Sequence, residues 1–310
     1  MKVSQVDCIY IAAFAGDARY TRTCVASVRY FYPDVLIRLL ISGTLQRSLT
    51  DELRRYWDVW AAELSKGDYG WGFVKLEPLF DSPGKRFLVL DSDTVLTGPV
   101  LEVWSDARAP FLVDDEKQSE DNTKRLYYDW ESVRGIDPCA QSPQFVFNSG
   151  QWFGTAGVLT RADFAPWVDW TMPRRLRYPR LFMPGDQGVL NYVLNQKAAL
   201  DGLQIERRQI MRWPAHSMEG LDSETVAKRS AVPRIVHWAG LKKARQRAML
   251  GADLLSFFEK FYYDRLPSGR TRRMVAGCHA LLRHCAGSAR VRVKLASCKL
   301  IIPLRRSTPK

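Results

Sequence analysis

The chain has 310 residues, 46% of them hydrophobic and 25% charged, and a formal net charge of +13. This composition belongs to a globular protein with a sizeable core, and no apolar run reaches the roughly 18 residues of a membrane-spanning helix. The charge is uneven: residues 265–310 hold twelve Lys/Arg and no Asp or Glu, which leaves +1 for residues 1–264.

Six cysteines (Cys8, Cys24, Cys139, Cys278, Cys285, Cys298) include no Cys-x-x-Cys pair, and four His are dispersed, which argues against a zinc site or a disulfide framework. Lys2 is followed by Val3-Ser4-Gln5-Val6-Asp7, with no apolar signal region. A cytoplasmic protein with free, mostly buried thiols is expected.

In chain order, the apolar β-branched run from Val6 to Phe14 predicts a buried first strand, ended by Gly16-Asp17. Tyr20 to Phe31 reads as a helix, Val35 to Ile41 as a second strand, and Leu49 to Leu64 as a helix capped by Thr50. Gly70-Trp71 opens a predicted helix from Phe73 to Phe80, stopped by Ser82-Pro83-Gly84. Phe87 to Leu90 then forms a short, fully apolar strand with Asp91 and Asp93 at its end. Two carboxylates one residue apart on an extended segment project to one side, so both reach one hard cation.

Val100 to Trp104 reads as a short helix and Pro110 to Val113 as a strand. The polar, irregular stretch from Glu116 to Ser142 suggests a long loop or lid. Strand character returns from Phe145 to Leu159 around Asn148-Ser149-Gly150. Ala162 to Trp170 and Gly185 to Asn195 read as helices, the second capped by Asp186. Arg234 to Trp238 is a last strand, and Phe257 to Tyr263 an aromatic helix. Strands alternating with helices predict an α/β fold with a mainly parallel sheet covered on both faces.

Four polar islands sit at element ends: Asp91 with Asp93, Asn148-Ser149-Gly150, Asp186-Gln187, and His237 with Gly240 and Lys243. Each has a plain explanation as a turn, a helix cap, a core histidine or a solvated face. Their order and spacing resemble family 8 of the retaining glycosyltransferases. That GT-A-fold group includes glycogenin and bacterial lipopolysaccharide galactosyl- and glucosyltransferases. The matching stretches are Leu90-Asp91-Ser92-Asp93, Phe147-Asn148-Ser149-Gly150, Asp186-Gln187-Gly188-Val189-Leu190-Asn191 and His237-Trp238-Ala239-Gly240-x-x-Lys243. Asp17 with Tyr20, and Lys75, are weaker matches. Two departures stand out: Ala244-Arg245 follow Lys243 where the family usually has Pro-Trp, and Gly188 follows Gln187 where it often has a second acid.

The resemblance spans roughly Val6 to Lys243 and implies a GT-A catalytic domain, expected over residues 1–264 ahead of the basic extension 265–310, with Asp91, Asp93 and His237 ligating Mn²⁺ or Mg²⁺ between the phosphates of a UDP-hexose. Ser92 would lie in that metal and donor site. Lys243 and Gly240 would approach the phosphates, and Asp17 and Tyr20 the nucleoside. Lys75, Asn148 and Asp186 would grip the donor sugar, with Gln187 beside its anomeric carbon. The acceptor would be a glycan or a lipid-linked sugar. A nucleotidyltransferase shares the metal-carboxylate logic, but no Gly-rich phosphate loop with Arg or Lys follows the first strand. The non-enzyme alternative is a binding protein built on an inactive version of the fold.

In residues 265–310, Met274, Val275, Cys278, Leu281, Leu282 and Cys285 fall at helical spacing between basic residues. A cationic amphipathic helix suits an anionic membrane surface better than nucleic acid here, because lipid-linked acceptors lie there. A peripheral position on the inner membrane face is the resulting expectation.

Overall fold

The computed structural model describes residues 6–64, 67–241 and 248–277. Its strands are β1 (Cys8–Ala13), β2 (Ile37–Ile41), β3 (Val59–Ala61), β4 (Arg86–Asp91), β5 (Thr94–Leu96), β6 (Phe111–Asp114), β7 (Gln151–Thr155), β8 (Val168–Asp169), β9 (Arg175–Leu176), β10 (Ile205–Arg208), β11 (Met211–Arg212) and β12 (Ile235–His237). The helices are α1 (Ala18–Phe31), α2 (Arg47–Trp57), α3 (Leu101–Ser105), α4 (Glu120–Leu126), α5 (Trp130–Arg134), α6 (Arg161–Phe164), α7 (Asp186–Asp201), α8 (Ser223–Ala227) and α9 (Ala252–Asp264). Ala15–Asp17 and Phe73–Phe80 form 3-10 turns, and residues 269–277 are also helical.

Seven strands make one sheet in the order β10-β6-β7-β4-β1-β2-β3. All neighbours are parallel except β7, which runs antiparallel to β4 and β6. The expected α/β architecture with a mainly parallel sheet is therefore present. Alternation along the strands sends side chains to two cores. Ile9, Ile11, Leu39, Leu88 and Leu90 pack on one face with α1, α2 and α9. Cys8, Tyr10, Leu40, Phe87, Val89 and Trp152 pack on the other, with Phe73–Phe80 and α7. A smaller sheet, β11-β12-β5, stands beyond the carboxyl end of β4.

Several expectations need correction. The helix read from Leu49 to Leu64 ends at Trp57, where Asp58 turns left-handed (φ 50°), and Val59–Ala61 becomes the edge strand β3. Trp60, read on a helical stripe, is therefore an edge-strand residue, and Thr50 lies inside α2 rather than capping it. Phe73–Phe80 is a 3-10 helix, because Pro78 removes a backbone donor. Ala162 to Trp170 holds only the short α6 before β8. The stretch from Glu116 to Ser142 is not an open loop: α4 and α5 fill it, and Tyr127, Tyr128 and Val133 are buried. β10 and β11 carry too little apolar patterning to have been anticipated.

The basic extension begins on the body. Leu266 is buried, Arg265 lies over the Trp57 ring at 4.9 Å, and Arg273 pairs with Glu259 at 3.2 Å. Residues 278–310, with most of the expected amphipathic helix, lie outside the described residues. Among the described residues no helix is long and apolar enough to cross a membrane.

Candidate active site

β4 is the central delivery element. Its four apolar residues are fully buried, and the strand ends at Asp91, as its backbone N–H donates to Gly150 O at 2.6 Å. The chain turns through Ser92 and Asp93 and returns as β5, which pairs antiparallel with β12 and sets His237 opposite Thr94. The Trp238 N–H donates to Asp93 O at 3.1 Å, tying the two segments together. This register carries the imidazole to the carboxylates from 144 residues away in sequence: His237 Nε2 lies 3.7 Å from Asp91 Oδ2 and 3.4 Å from Asp93 Oδ1. Trp213 stacks on the imidazole (5.4 Å between centroids, 17° between planes) and fixes its plane.

One ligand atom from each of Asp91, Asp93 and His237 lies within 4.8 Å of the others. Ligands at right angles around an ion at about 2.1 Å are ~3 Å apart, so small adjustments close the shell. His237 is 1% exposed, yet neither ring nitrogen has a hydrogen-bond partner. Buried imidazoles are ordinarily hydrogen-bonded, and an orphaned pair of nitrogens beside two carboxylates fits a cation ligand.

Lys75 is the counter-charge. Gly72, left-handed at φ 79°, starts the 3-10 turn that aims Lys75 into the site. Lys75 Nζ lies 3.2 Å from Asp91 Oδ1 and 3.3 Å from Asp186 Oδ2, and donates to Ser149 Oγ at 3.1 Å. Burial opposes the ammonium charge, but Asp186 and Asp91 outweigh it and hold the Lys75 pKa above its ordinary value. Asp186 is thus no helix cap. It is the first residue of α7, after left-handed Gly185 (φ 93°), and its carboxylate serves the ion pair. Burial pushes the Asp186 carboxyl above its ordinary range, against the pull of Lys75. Lys75 meets Asp91 and Asp186, while Asp93 adds a carboxyl beside His237, an acidic cluster that a divalent cation would suit.

The first turn of α7 grips the Asn148–Gly150 loop. Gln187 Oε1 accepts from Asn148 Nδ2 (3.0 Å) and Ser149 N (3.2 Å), and its Nε2 donates to Leu126 O (2.8 Å). Asn191 accepts from Phe147 N and donates to Phe147 O, both at 2.9 Å. Asn195 accepts from Gln144 N (2.8 Å) and donates to Phe145 O (2.9 Å). Sequence reasoning placed Asn191 and Asn195 on the helix but gave neither a role. The signal was an amide every fourth residue on one helix face, at 187, 191 and 195. Trp213 left no comparable trace.

Space is as tight as the bonding. A Cβ on Gly150 would stand 2.1 Å from His237 Cε1 and 2.8 Å from Asp91 Oδ2. A Cβ on Gly188 would meet Tyr127 O at 2.3 Å, so this chain has no room for a second acid there.

The outer residues divide. Ser92 Oγ donates to Asp17 Oδ2 at 3.3 Å, joining Asp17 to the Asp-x-Asp turn. Tyr20 directs its hydroxyl to Met249 Sδ at 3.3 Å, beside the segment that follows residues 242–247. Gly240 sits left-handed (φ 69°) in the turn closed by Leu241 N and Trp238 O, with no described residue within 4 Å of its Cβ position. Lys243 lies outside the described residues.

A mainly parallel sheet with an Asp-x-Asp turn after a central strand is the GT-A type of glycosyltransferase fold, and solved structures of that type superpose on this chain. Galactosyltransferase LgtC, in complex with donor and acceptor sugar analogues, matches with a TM-score of 0.53 and 15% identity over 86% of this chain and 99% of that one. WbbM, a bifunctional glycosyltransferase, matches with a TM-score of 0.52 and 13% identity over 84% of this chain and 50% of its own. GlyE of Streptococcus pneumoniae gives 0.50 and 14% over 83% of this chain and 60% of its own. No family model and no curated protein matches the sequence. At these identities the likeness establishes the fold.

Proposed function

We propose that the protein is a metal-dependent retaining glycosyltransferase that moves a hexose from a UDP-sugar to a glycan or lipid-linked acceptor. One observation carries this reading: the buried imidazole of His237, its ring nitrogens without a hydrogen bond, poised 3.4 and 3.7 Å from two carboxylates. A buried polar atom without a hydrogen bond costs ~1–3 kcal/mol, and ligation of a cation through one ring nitrogen would relieve that cost for the atom engaged. Mixed oxygen and nitrogen ligation favours Mn²⁺ over Mg²⁺. Asp91, Asp93 and His237 would hold the ion, which when bound would supply Lewis-acid stabilisation to the departing diphosphate.

The chain's own residues supply the rest. Asp91, Asp93 and His237 hold the ion. Gly240 and Lys243 are assigned to the phosphates, and Asp17, Tyr20 and Ser92 to the nucleoside side of the donor. Lys75, Asn148 and Asp186 position the hexose. Gln187, an amide with oxygen and nitrogen both engaged, is fixed rather than nucleophilic. Asp186 is paired with Lys75, and Gly188 has no side chain, so the first turn of α7 offers no free carboxylate for attack. That favours front-face transfer over the double displacement that requires such a carboxylate. In it the bond from C1 to the diphosphate oxygen breaks and the acceptor oxygen bonds C1 from the same side. The acceptor proton passes to the released diphosphate. The basic segment 265–310 is assigned to an anionic membrane surface that presents the acceptor.

The test is hydrolysis of UDP-glucose and UDP-galactose, with Mn²⁺ or with EDTA, followed by NMR of the first-formed sugar. An α-anomer released only with metal is expected. Metal-independent turnover, or a β-anomer, refutes the reading.

A further inference from the structure

A cleft of about 570 Å³ shares no residue with the Asp91 site. It is lined by Arg38 and Leu40 of β2, Trp60 and Ala61 of β3, and Glu77, Pro78 and Phe80 of the 3-10 turn. Strand register builds its floor: Tyr10 pairs with Arg38 and Arg38 with Trp60, so three neighbouring strands set these side chains in one row. The volume falls within the roughly 300–1,000 Å³ of small-ligand sites.

Three features of this row point to one ligand chemistry. Trp60 is 46% exposed yet held in place, with Nε1 donating to Asp58 Oδ1 at 2.8 Å and Arg54 over its ring at 5.6 Å. A large exposed indole fixed by its neighbours is a ready stacking platform. The charges lining the cleft cancel: Arg38, Lys85 and Arg161 against Glu63, Glu77 and Asp81. Lys85 is satisfied by Asp81 (2.7 Å) and Arg161 by Glu77 (3.0 Å). The side chains of Arg38 and Glu63, in contrast, make no hydrogen bond or ion pair with any described residue, so one pure donor and one pure acceptor face the cleft. A phosphate would want surplus positive charge, and an apolar ligand would strand both groups. An uncharged, polyhydroxylated chain with an apolar sugar face satisfies all three features.

We propose that this cleft is a second carbohydrate-binding site, stacking a neutral hexose on Trp60 and hydrogen-bonding its hydroxyls to Arg38 and Glu63. It would hold a stretch of the acceptor glycan remote from the reacting sugar. That use of the site rests on the transferase reading, whereas the binding itself does not.

The experiment applies the full chain to immobilised maltohexaose, cellohexaose and galactan oligosaccharides, with phosphorylated and uronate-containing counterparts. Wild type is expected to bind at least one neutral probe. Trp60→Ala and Arg38→Ala should each weaken that binding about tenfold at an unchanged melting temperature. Asp91→Asn with Asp93→Asn, or EDTA, should leave it intact, and Mn²⁺-dependent hydrolysis of UDP-sugar by Trp60→Ala should match wild type. No neutral probe bound, binding indifferent to Trp60→Ala, or binding of charged probes alone overturns the proposal. Glycan binding without any UDP-sugar hydrolysis would sink the transferase reading and leave this site standing.

Discussion

Gly150→Ala adds one methyl group where the site has least room. Its Cβ would stand 2.1 Å from His237 Cε1, and 2.8 Å from both Asn148 Oδ1 and Asp91 Oδ2. Carbon contacts relax only near 3.4 Å, so the imidazole or the Asn148–Gly150 loop must retreat by about 1.3 Å. Displacing a catalytic constellation by ~1 Å costs on the order of 100-fold in rate, and overpacking costs about 1–3 kcal/mol of stability. Trp213 against His237, and Gln187 against the loop, resist the easy escapes. Expected, then, is a roughly 100-fold fall in Mn²⁺-dependent UDP-sugar hydrolysis with a weakened Mn²⁺ response, in a protein that still unfolds cooperatively. Initial rates over a Mn²⁺ titration, paired with urea melts, measure both quantities. Gly277→Ala is the control, because no described residue lies within 4 Å of its Cβ position. Wild-type turnover and metal affinity in Gly150→Ala would refute the placement of the metal site.

Lys75→Met strips the counter-charge from Asp186, which is 4% exposed, and should cost about 3–5 kcal/mol in urea unfolding. Adding Asp186→Asn should recover most of it, and a double variant no more stable than the single one would contradict the pairing. His237→Leu should abolish the rise in melting temperature with Mn²⁺ while leaving the metal-free protein about as stable as wild type, since removing ring nitrogens that make no hydrogen bond offsets the loss of the stacking on Trp213. A metal-free loss of stability would argue against that account. Burial pushes the Asp114 carboxyl up to about 6, against the bonds it accepts from Ile210 N and Met211 N. The unfolded value is about 3.9, so between these pH values the folded state binds more protons and stability falls as pH rises, by up to ~3 kcal/mol. Asp114→Asn should remove that slope, gaining on wild type above about pH 6 and matching it below about pH 4. Parallel stability profiles would show that Asp114 does not titrate in that range.

The strand before Asp91 was legible because four consecutive apolar residues admit few alternatives, and the turn after it needs only local chemistry. Helix limits were less legible. Trp57 and Trp60 share a helical spacing, but the break lies in the left-handed Asp58, whose conformation depends on β3 joining the sheet. The antiparallel setting of β7 follows from pairing with β4 and β6, which no single stretch encodes. Asp186 shows the same limit at the site. Its position favours a cap, whereas its role depends on Lys75, held in a 3-10 turn 111 residues earlier in the chain.

The amide ladder along α7 carries a chemical vulnerability. Asn191 and Asn195 each give a proton to one main-chain carbonyl of the neighbouring segment and take one from an N–H. Hydrolysis of either amide to its acid, a slow change that needs no enzyme, would leave the accepting half intact and set a carboxylate against a carbonyl. Ageing at Asn191 would unfasten the loop bearing Asn148 and Gly150 without altering any ligand of the metal site. Old preparations would then lose turnover before they lose affinity for the ion, and a mass gain in the peptide spanning Asn191 would track that loss.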